Sequence, residues 1–294
     1  MSTPADHRSI VVGVDGTATA LAAARWAGDL AARQRVPLVL LGVAPALDHP
    51  VTAAALAETD LLPELRAAAQ RKVEEAFAAV RGDQPRVEIQ QIVEAGIPAR
   101  KLIERSAAAS MVVLAANVSD RFSTLLLGST ALMVANKATC PVAIWRGKTN
   151  NPLPDRRPVL VGVDGSPGSS AAIGEAFELA SALDVGVIAL HAWNDPDLLQ
   201  WTPVPDATTT LAQREKELLS ERMAGWSEKY PDVAVTKVVQ KSLPAQALLE
   251  HAENAQLVLT GSRGHNRLTG LLVGSTSQNL LHHSPRPMVI CREQ

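Results

Sequence analysis

The residue types best suited to chemistry cluster between positions 261 and 276, in GSRGHNRLTGLLVGST. Gly261, Gly264 and Gly274 are spaced Gly-x2-Gly-x9-Gly, and Ser275 and Thr276 follow the last of them. Glycine lets a backbone approach a ligand closely or adopt φ > 0. A helix starting at Gly274 would aim its free N–H groups at whatever lies before it. With hydroxyls beside it, such a helix start is an anion site, and phosphate is the usual anion. Arg263, His265 and Arg267 lie in the intervening loop and could add positive charge. The spacing is neither a Walker A loop nor GxGxxG, and no lysine follows the last glycine to reach a β- or γ-phosphate. The plainer alternative is that the glycines make turns and Ser275 caps a helix.

Positioning such a loop needs a scaffold, and the sequence repeats one. VVGVDG at 11–16 recurs as LVGVDG at 160–165, an offset of 149. Ile97-Pro98-Ala99 recurs as Leu243-Pro244-Ala245, Leu-Gly-Ser-Thr at 127–130 as Val-Gly-Ser-Thr at 273–276, and Pro-Val-Ala-Ile at 141–144 as Pro-Met-Val-Ile at 287–290, all at an offset of 146. Four matches in one order mark a tandem duplication. The expected domains are 1–147 and 156–294, joined by a linker rich in turn formers. In the first copy, β-rich runs at 10–14, 38–43, 87–93, 111–115 and 142–145 alternate with helical stretches at 19–34, 62–80, 99–108 and 129–136. The second copy repeats this, with strands near 159–163, 187–192, 233–239, 257–260 and 288–291. Strands alternating with helices imply parallel sheets with right-handed crossovers. The fold class is therefore α/β: two tandem doubly wound, Rossmann-like domains, each a five-stranded parallel sheet. Such sheets bind ligands beyond the carboxyl ends of their strands, at the switch point.

Composition excludes several classes. The chain has 294 residues, 47% of them hydrophobic and 20% charged, enough for two packed cores. A formal net charge of −2 argues against general nucleic-acid binding. No apolar run reaches the length of a membrane span, and the start lacks a signal-peptide core. Two cysteines make a disulfide framework unlikely and suit a reducing cytoplasm. The histidines show no HExxH pattern or pairing with cysteine, no metal site is expected, and no GxSxG elbow occurs.

A second feature converges on the glycine loop. Gly162-Val-Asp164-Gly ends the first strand of the second copy, which should neighbour the fourth. Asp164 could accept hydrogen bonds from a base or sugar, or could make a turn before the next helix. Together, the repeated VGVDG, the Leu-Pro-Ala segment, GSRGHNRLTGLLVGST and the final PMVIC resemble the universal stress protein family in its tandem two-domain form, across essentially the whole chain. The resemblance implies an ATP pocket between the first and fourth strands. By position, Gly162 and Asp164 would lie near adenine and ribose, and Ala192 would offer backbone contacts to adenine. Thr260, Gly261, Ser262, Arg263 and Gly264 would line ribose and phosphates, and Gly274, Ser275 and Thr276 would hold the phosphates. Asp195 is a weaker ribose candidate, and Mg²⁺ could ride on the phosphates. The resemblance also implies dimer pairing through the last strand. PVAIW and PMVIC, apolar runs expected at sheet edges, could satisfy that pairing within one chain as a pseudo-twofold, with a further homodimer possible.

The first copy keeps part of the pattern. Gly13, Asp15, Gly128, Ser129 and Thr130 match and Val43 stands where the second copy has Ala192, but Gly261 becomes Ala115, Gly264 becomes Val118 and Asn266 becomes Asp120. A β-branched residue resists φ > 0 and fills space beside the backbone. Asp120 adds negative charge where phosphate would sit, although Arg121 offsets it. The first copy is expected to bind ATP more weakly than the second, or not at all. The leading reading is an ATP-binding regulator of stress response or growth, with no catalytic residues. The alternatives are a slow ATP hydrolase or nucleotidyl-acting enzyme, and an interaction scaffold with vestigial sites.

Overall fold

The computed structural model describes residues 8–46, 61–116, 128–145, 153–193, 207–262, 264 and 274–293. It divides into two units, Met1–Leu153 and Pro154–Gln294.

Unit one contains β1 (Ser9–Val14), α1 (Ala18–Gln34), β2 (Leu38–Ala44), α2 (Leu61–Asp83), β3 (Ile89–Ala95), α3 (Pro98–Ser106), β4 (Ala109–Ala115), α4 (Ser129–Lys137) and β5 (Val142–Trp145). All its strand pairs are parallel, in the order β3-β2-β1-β4-β5. Unit two contains β6 (Val159–Gly162), α5 (Pro167–Leu183), β7 (Val187–Trp193), α6 (Ala207–Lys229), β8 (Val235–Lys241), α7 (Pro244–Ala252), β9 (Leu257–Gly261), α8 (Ser275–His283) and β10 (Met288–Cys291). Its order is the same, β8-β7-β6-β9-β10, again parallel. Chain direction across the sheet reverses between β1 and β4, and between β6 and β9. These are the switch points where a doubly wound sheet opens a crevice.

Local sequence explains the elements. The apolar runs of β1 and β6 are buried on both faces: Ile10, Val11, Val12, Val159, Leu160 and Val161 are at most 2% exposed. Helix α1 buries Ala20, Ala23, Ala24, Ala27, Leu30 and Ala31, a stripe at helical spacing. Its N-cap is Thr17, whose hydroxyl accepts from the Ala20 N–H at 3.1 Å. It ends where Arg35 turns left-handed, at φ 58°. Ser166 and Asp184 do the same at the two ends of α5.

Two expected boundaries shift. The third strand of each unit starts at Ile89 and Val235, two residues later than the apolar pattern implies. Val87 and Val233 are buried, but their N–H groups close turns onto Gln84 and Tyr230. Their apolarity plugs the turn and does not extend the ladder. Among the described residues, no helix is long and apolar enough to cross a membrane.

The duplicated positions have diverged. In unit one, Trp26 on α1 packs on Trp145 of β5, with ring centroids 4.9 Å apart. At the same repeat offsets, unit two has Glu175 on α5 and Cys291 at the end of β10. Desolvation drives the Glu175 carboxyl up to about 8, with Glu178 adding like-charge repulsion. A carboxyl whose folded value is raised holds its proton where the unfolded chain has lost it. Stability from this group is therefore complete below the ordinary value of 4.5 and falls as pH rises towards about 8. Glu175→Gln is expected to flatten that decline. Urea melts of both proteins at about pH 5 and about pH 9 would measure it, and parallel pH profiles would refute it.

Candidate functional site

In unit two, β6 runs out at Gly162 and the chain turns through Val163, Asp164 and Gly165. Gly165 takes φ +85°, which glycine adopts at no steric cost. One carboxylate oxygen of Asp164 accepts from the Ser166 N–H at 2.9 Å and from its hydroxyl at 2.6 Å. The Ser166 hydroxyl in turn accepts from the Ser169 N–H at 3.2 Å, capping α5. The turn and ligand readings of Asp164 are therefore compatible, because Oδ1 builds the turn while Oδ2 faces Gly264. A β-carbon placed on Gly264 would lie 2.6 Å from that Oδ2.

The neighbouring strand, β9, ends in Thr260 and Gly261. The Ser262 N–H donates to the Cys291 carbonyl at 2.7 Å, and the Ser262 carbonyl accepts from the Gly274 N–H at 2.8 Å. These two bonds hold both ends of the glycine loop against the end of β9. Gly274 is the N-cap of α8, and no side chain caps that helix. Its first-turn amides thus keep the donor character that suits an anion. Ser275 lies inside the helix and does not cap it.

Beneath the helix start, the Ser277 hydroxyl donates to the Gly261 carbonyl at 2.8 Å and lies 3.1 Å from the Thr260 hydroxyl. Ser277 is buried, and nothing in the glycine spacing singles it out. Comparing the copies does: its counterpart at the 146 offset is Ala131, and that of Thr260 is Leu114. Ser277→Ala is expected to cost about 1 kcal/mol, measured by urea denaturation, because the Gly261 carbonyl loses a buried donor.

These groups surround one cavity of about 250 Å³. Of the residues singled out in the sequence, Gly162, Asp164, Ala192, Thr260, Gly261, Gly264, Gly274, Ser275 and Thr276 line it. Ser262 does not; it is a brace behind the wall. Leu190, Pro244, Leu248 and Ser277 line it without having been expected. Arg263, His265, Arg267 and Asp195 lie outside the described residues. Beside the cavity, His191 Nδ1 sits 2.6 Å from the Val163 carbonyl. A carbonyl only accepts, so Nδ1 carries the proton and Nε2 faces Glu215 at 3.1 Å. This contact braces the residue just before Asp164.

Of the two properties glycine offers, Gly261 uses close approach, since its φ is not positive. A β-carbon on Gly261 would meet the Gly168 carbonyl carbon at 2.6 Å and the Ser169 nitrogen at 3.0 Å. Gly261 thus lets the end of β9 lie against the start of α5.

Unit one builds a related cavity of about 390 Å³ from Gly13, Asp15, Val43, Ala115, Gly128, Ser129 and Thr130, together with Lys72, Leu102, Leu114 and Ala131. Asp15 repeats the turn, accepting from the Thr17 N–H at 2.9 Å and its hydroxyl at 2.7 Å. Val118, Asp120 and Arg121 lie outside the described residues. Among the described residues, no group of three or more His, Cys, Asp or Glu side chains could hold a metal ion.

The comparison with known proteins agrees with this arrangement. The model of the universal stress protein family matches twice, over residues 7–146 and 155–292. The chain belongs to the universal stress protein family. A universal stress protein of Mycobacterium tuberculosis is 36% identical over 302 residues, covering all of both chains. One from Mycolicibacterium smegmatis is 34% identical over 293 residues and 98% of each chain. Among solved structures, a universal stress protein from Archaeoglobus fulgidus has a TM-score of 0.67 at 21% identity, covering 98% of this chain and 99% of its own. Family membership accounts for both units.

Proposed function

We propose that this universal stress protein binds ATP in unit two, that unit one binds it more weakly or not at all, and that the nucleotide acts as a regulatory ligand in stress response or growth. The observation that carries this reading is the close approach of Gly264 to Asp164 at the mouth of a cavity closed by a helix start without a side-chain cap. The donor set suits the ligand: amides and hydroxyls of Gly274, Ser275 and Thr276 for phosphate, Asp164 and Thr260 for ribose, and Ala192 with Leu190 for the adenine. Mg²⁺ would arrive on the phosphates. Among the described residues, Asp164 is the ionisable side chain lining this cavity, and one of its oxygens is engaged in the turn. That favours a ligand role for the nucleotide over turnover. Binding would then stabilise whichever conformation holds ATP. The two cysteines are buried free thiols, in keeping with a reducing cytoplasm.

Mass spectrometry of the small molecules released by denaturing freshly purified protein tests the reading. An adenine nucleotide is expected. Thermal melts with ATP at a hundred times its Kd should also show stabilisation of about 2.7 kcal/mol. Finding no nucleotide, and no shift on adding one, would overturn it.

A further inference from the structure

The two units part at one register position. In unit one, β1 stays in the ladder through Val14, whose partner on β2 is Gly42. At the offset of 149 the equivalent pair is Val163 and His191. In unit two the ladder ends one residue earlier, at Gly162 and Leu190. The Val163 N–H still donates to the Leu190 carbonyl at 2.8 Å, but the Val163 carbonyl accepts from His191 Nδ1 at 2.6 Å. A side chain thus takes the place of strand pairing, directly before Asp164. Val163 is buried, so its carbonyl has little water to turn to if the ring is removed.

Unit one has no room for such a ring. A β-carbon on Gly42 would meet Val73 at 2.6 Å and the Ala69 carbonyl at 3.3 Å, so α2 lies directly on the strand. At the offset of 146, Ala69 corresponds to Glu215 of α6. Two small residues in one copy are therefore a His–Glu pair in the other, with Nε2 3.1 Å from the carboxylate. A carboxylate, like a carbonyl, only accepts, so hydrogen on both ring nitrogens satisfies both contacts. Helix α6 also reaches the turn directly, because the Arg222 guanidinium lies over Gly165. Val163 and Asp164 are shared between the cavity already described and a smaller one of about 170 Å³, which His191, Glu215 and Arg222 also line.

On the reading that ATP binds in unit two, we infer that His191, oriented by Glu215, is a positioning residue for it, and that α6 sets the ATP affinity through this pair. His191 does not line the main cavity. It holds the peptide from which Asp164 extends, and so keeps Asp164 Oδ2 facing Gly264. Without that hold, the turn leaves its place for part of the time. Apparent affinity then falls by the fraction of molecules that keep the competent turn. Gly42 and Ala69 leave unit one without this device, which adds to the asymmetry between the two cavities.

Calorimetric titration of the full-length protein with ATP tests this on the parent and three variants. His191→Leu keeps apolar bulk but has no donor, and should weaken binding about three- to tenfold, the worth of one net hydrogen bond. In His191→Asn the amide nitrogen can stand where Nδ1 stood and donate to the same carbonyl. Affinity should therefore return to within about twofold of the parent. Glu215→Ala places a strong helix former in α6 and frees the outer side of the ring, and should weaken binding about two- to fivefold. That variant keeps the test decisive if His191→Leu fails to fold. The inference is overturned if His191→Leu or Glu215→Ala binds ATP as tightly as the parent. It is equally overturned if His191→Asn binds no better than His191→Leu, since a purely structural role would show no such rescue. A parent protein that does not bind ATP at all would instead overturn the ATP assignment, and this inference with it.

Discussion

Gly264→Val is expected to weaken ATP binding by about thirty- to several hundredfold, the equivalent of roughly 2–4 kcal/mol. The new β-carbon would stand 2.6 Å from Asp164 Oδ2, well inside contact distance. Either the loop withdraws from the cavity or the Asp164 carboxylate swings away. In the second case two hydrogen bonds from Ser166 to a charged acceptor are strained, and each such bond contributes about 1.5–3 kcal/mol. The clash is with the β-carbon itself, so Gly264→Ala should lose most of the same affinity. Calorimetric titration of both variants reads the effect. Affinity within about threefold of the parent protein in both would show that close approach at this point does not matter.

Gly261→Ala is expected to destabilise the fold by about 1–3 kcal/mol, the usual range for forcing extra volume into a packed site. Its β-carbon would meet the backbone of Gly168 and Ser169, which cannot move aside as a flexible side chain can. The start of α5 must therefore shift, taking with it the Ser166 cap and the Asp164 turn. Urea denaturation should show a lower midpoint with unchanged slope, and ATP affinity should fall as well. An unchanged midpoint would mean that β9 and α5 are not held in this contact. Unit one carries Ala115 at the same offset, so its strand must meet α1 differently.

Much of this was legible without coordinates. The constant offset of four matches implied the duplication, and the buried runs of β1 and β6 with the Ala-rich α1 implied a parallel sheet flanked by helices. The strand-end Asp164 and the glycines at 261, 264 and 274 fell on one cavity because adjacent central strands must deliver their carboxyl ends together. What escaped the sequence was tertiary. Spacing alone cannot tell a glycine needed for positive φ from one needed for close approach, and both Gly261 and Gly264 stand in close approach to a neighbour. Ser277 was missed because its role depends on the Gly261 carbonyl brought to it by the fold. Val87 and Val233 were read as strand because a side chain that plugs a turn is as apolar as one in a ladder. Ser262 belonged by position to the ligand loop, yet its backbone is used to hold β9 to β10 and the loop to α8.

The asymmetry between the units is tested most directly by calorimetric titration of the full-length protein with ATP, counting sites per chain. One tight site is expected, and Gly264→Val should remove it. Two equal sites per chain, or a single site that survives Gly264→Val, would contradict the assignment of ATP to unit two.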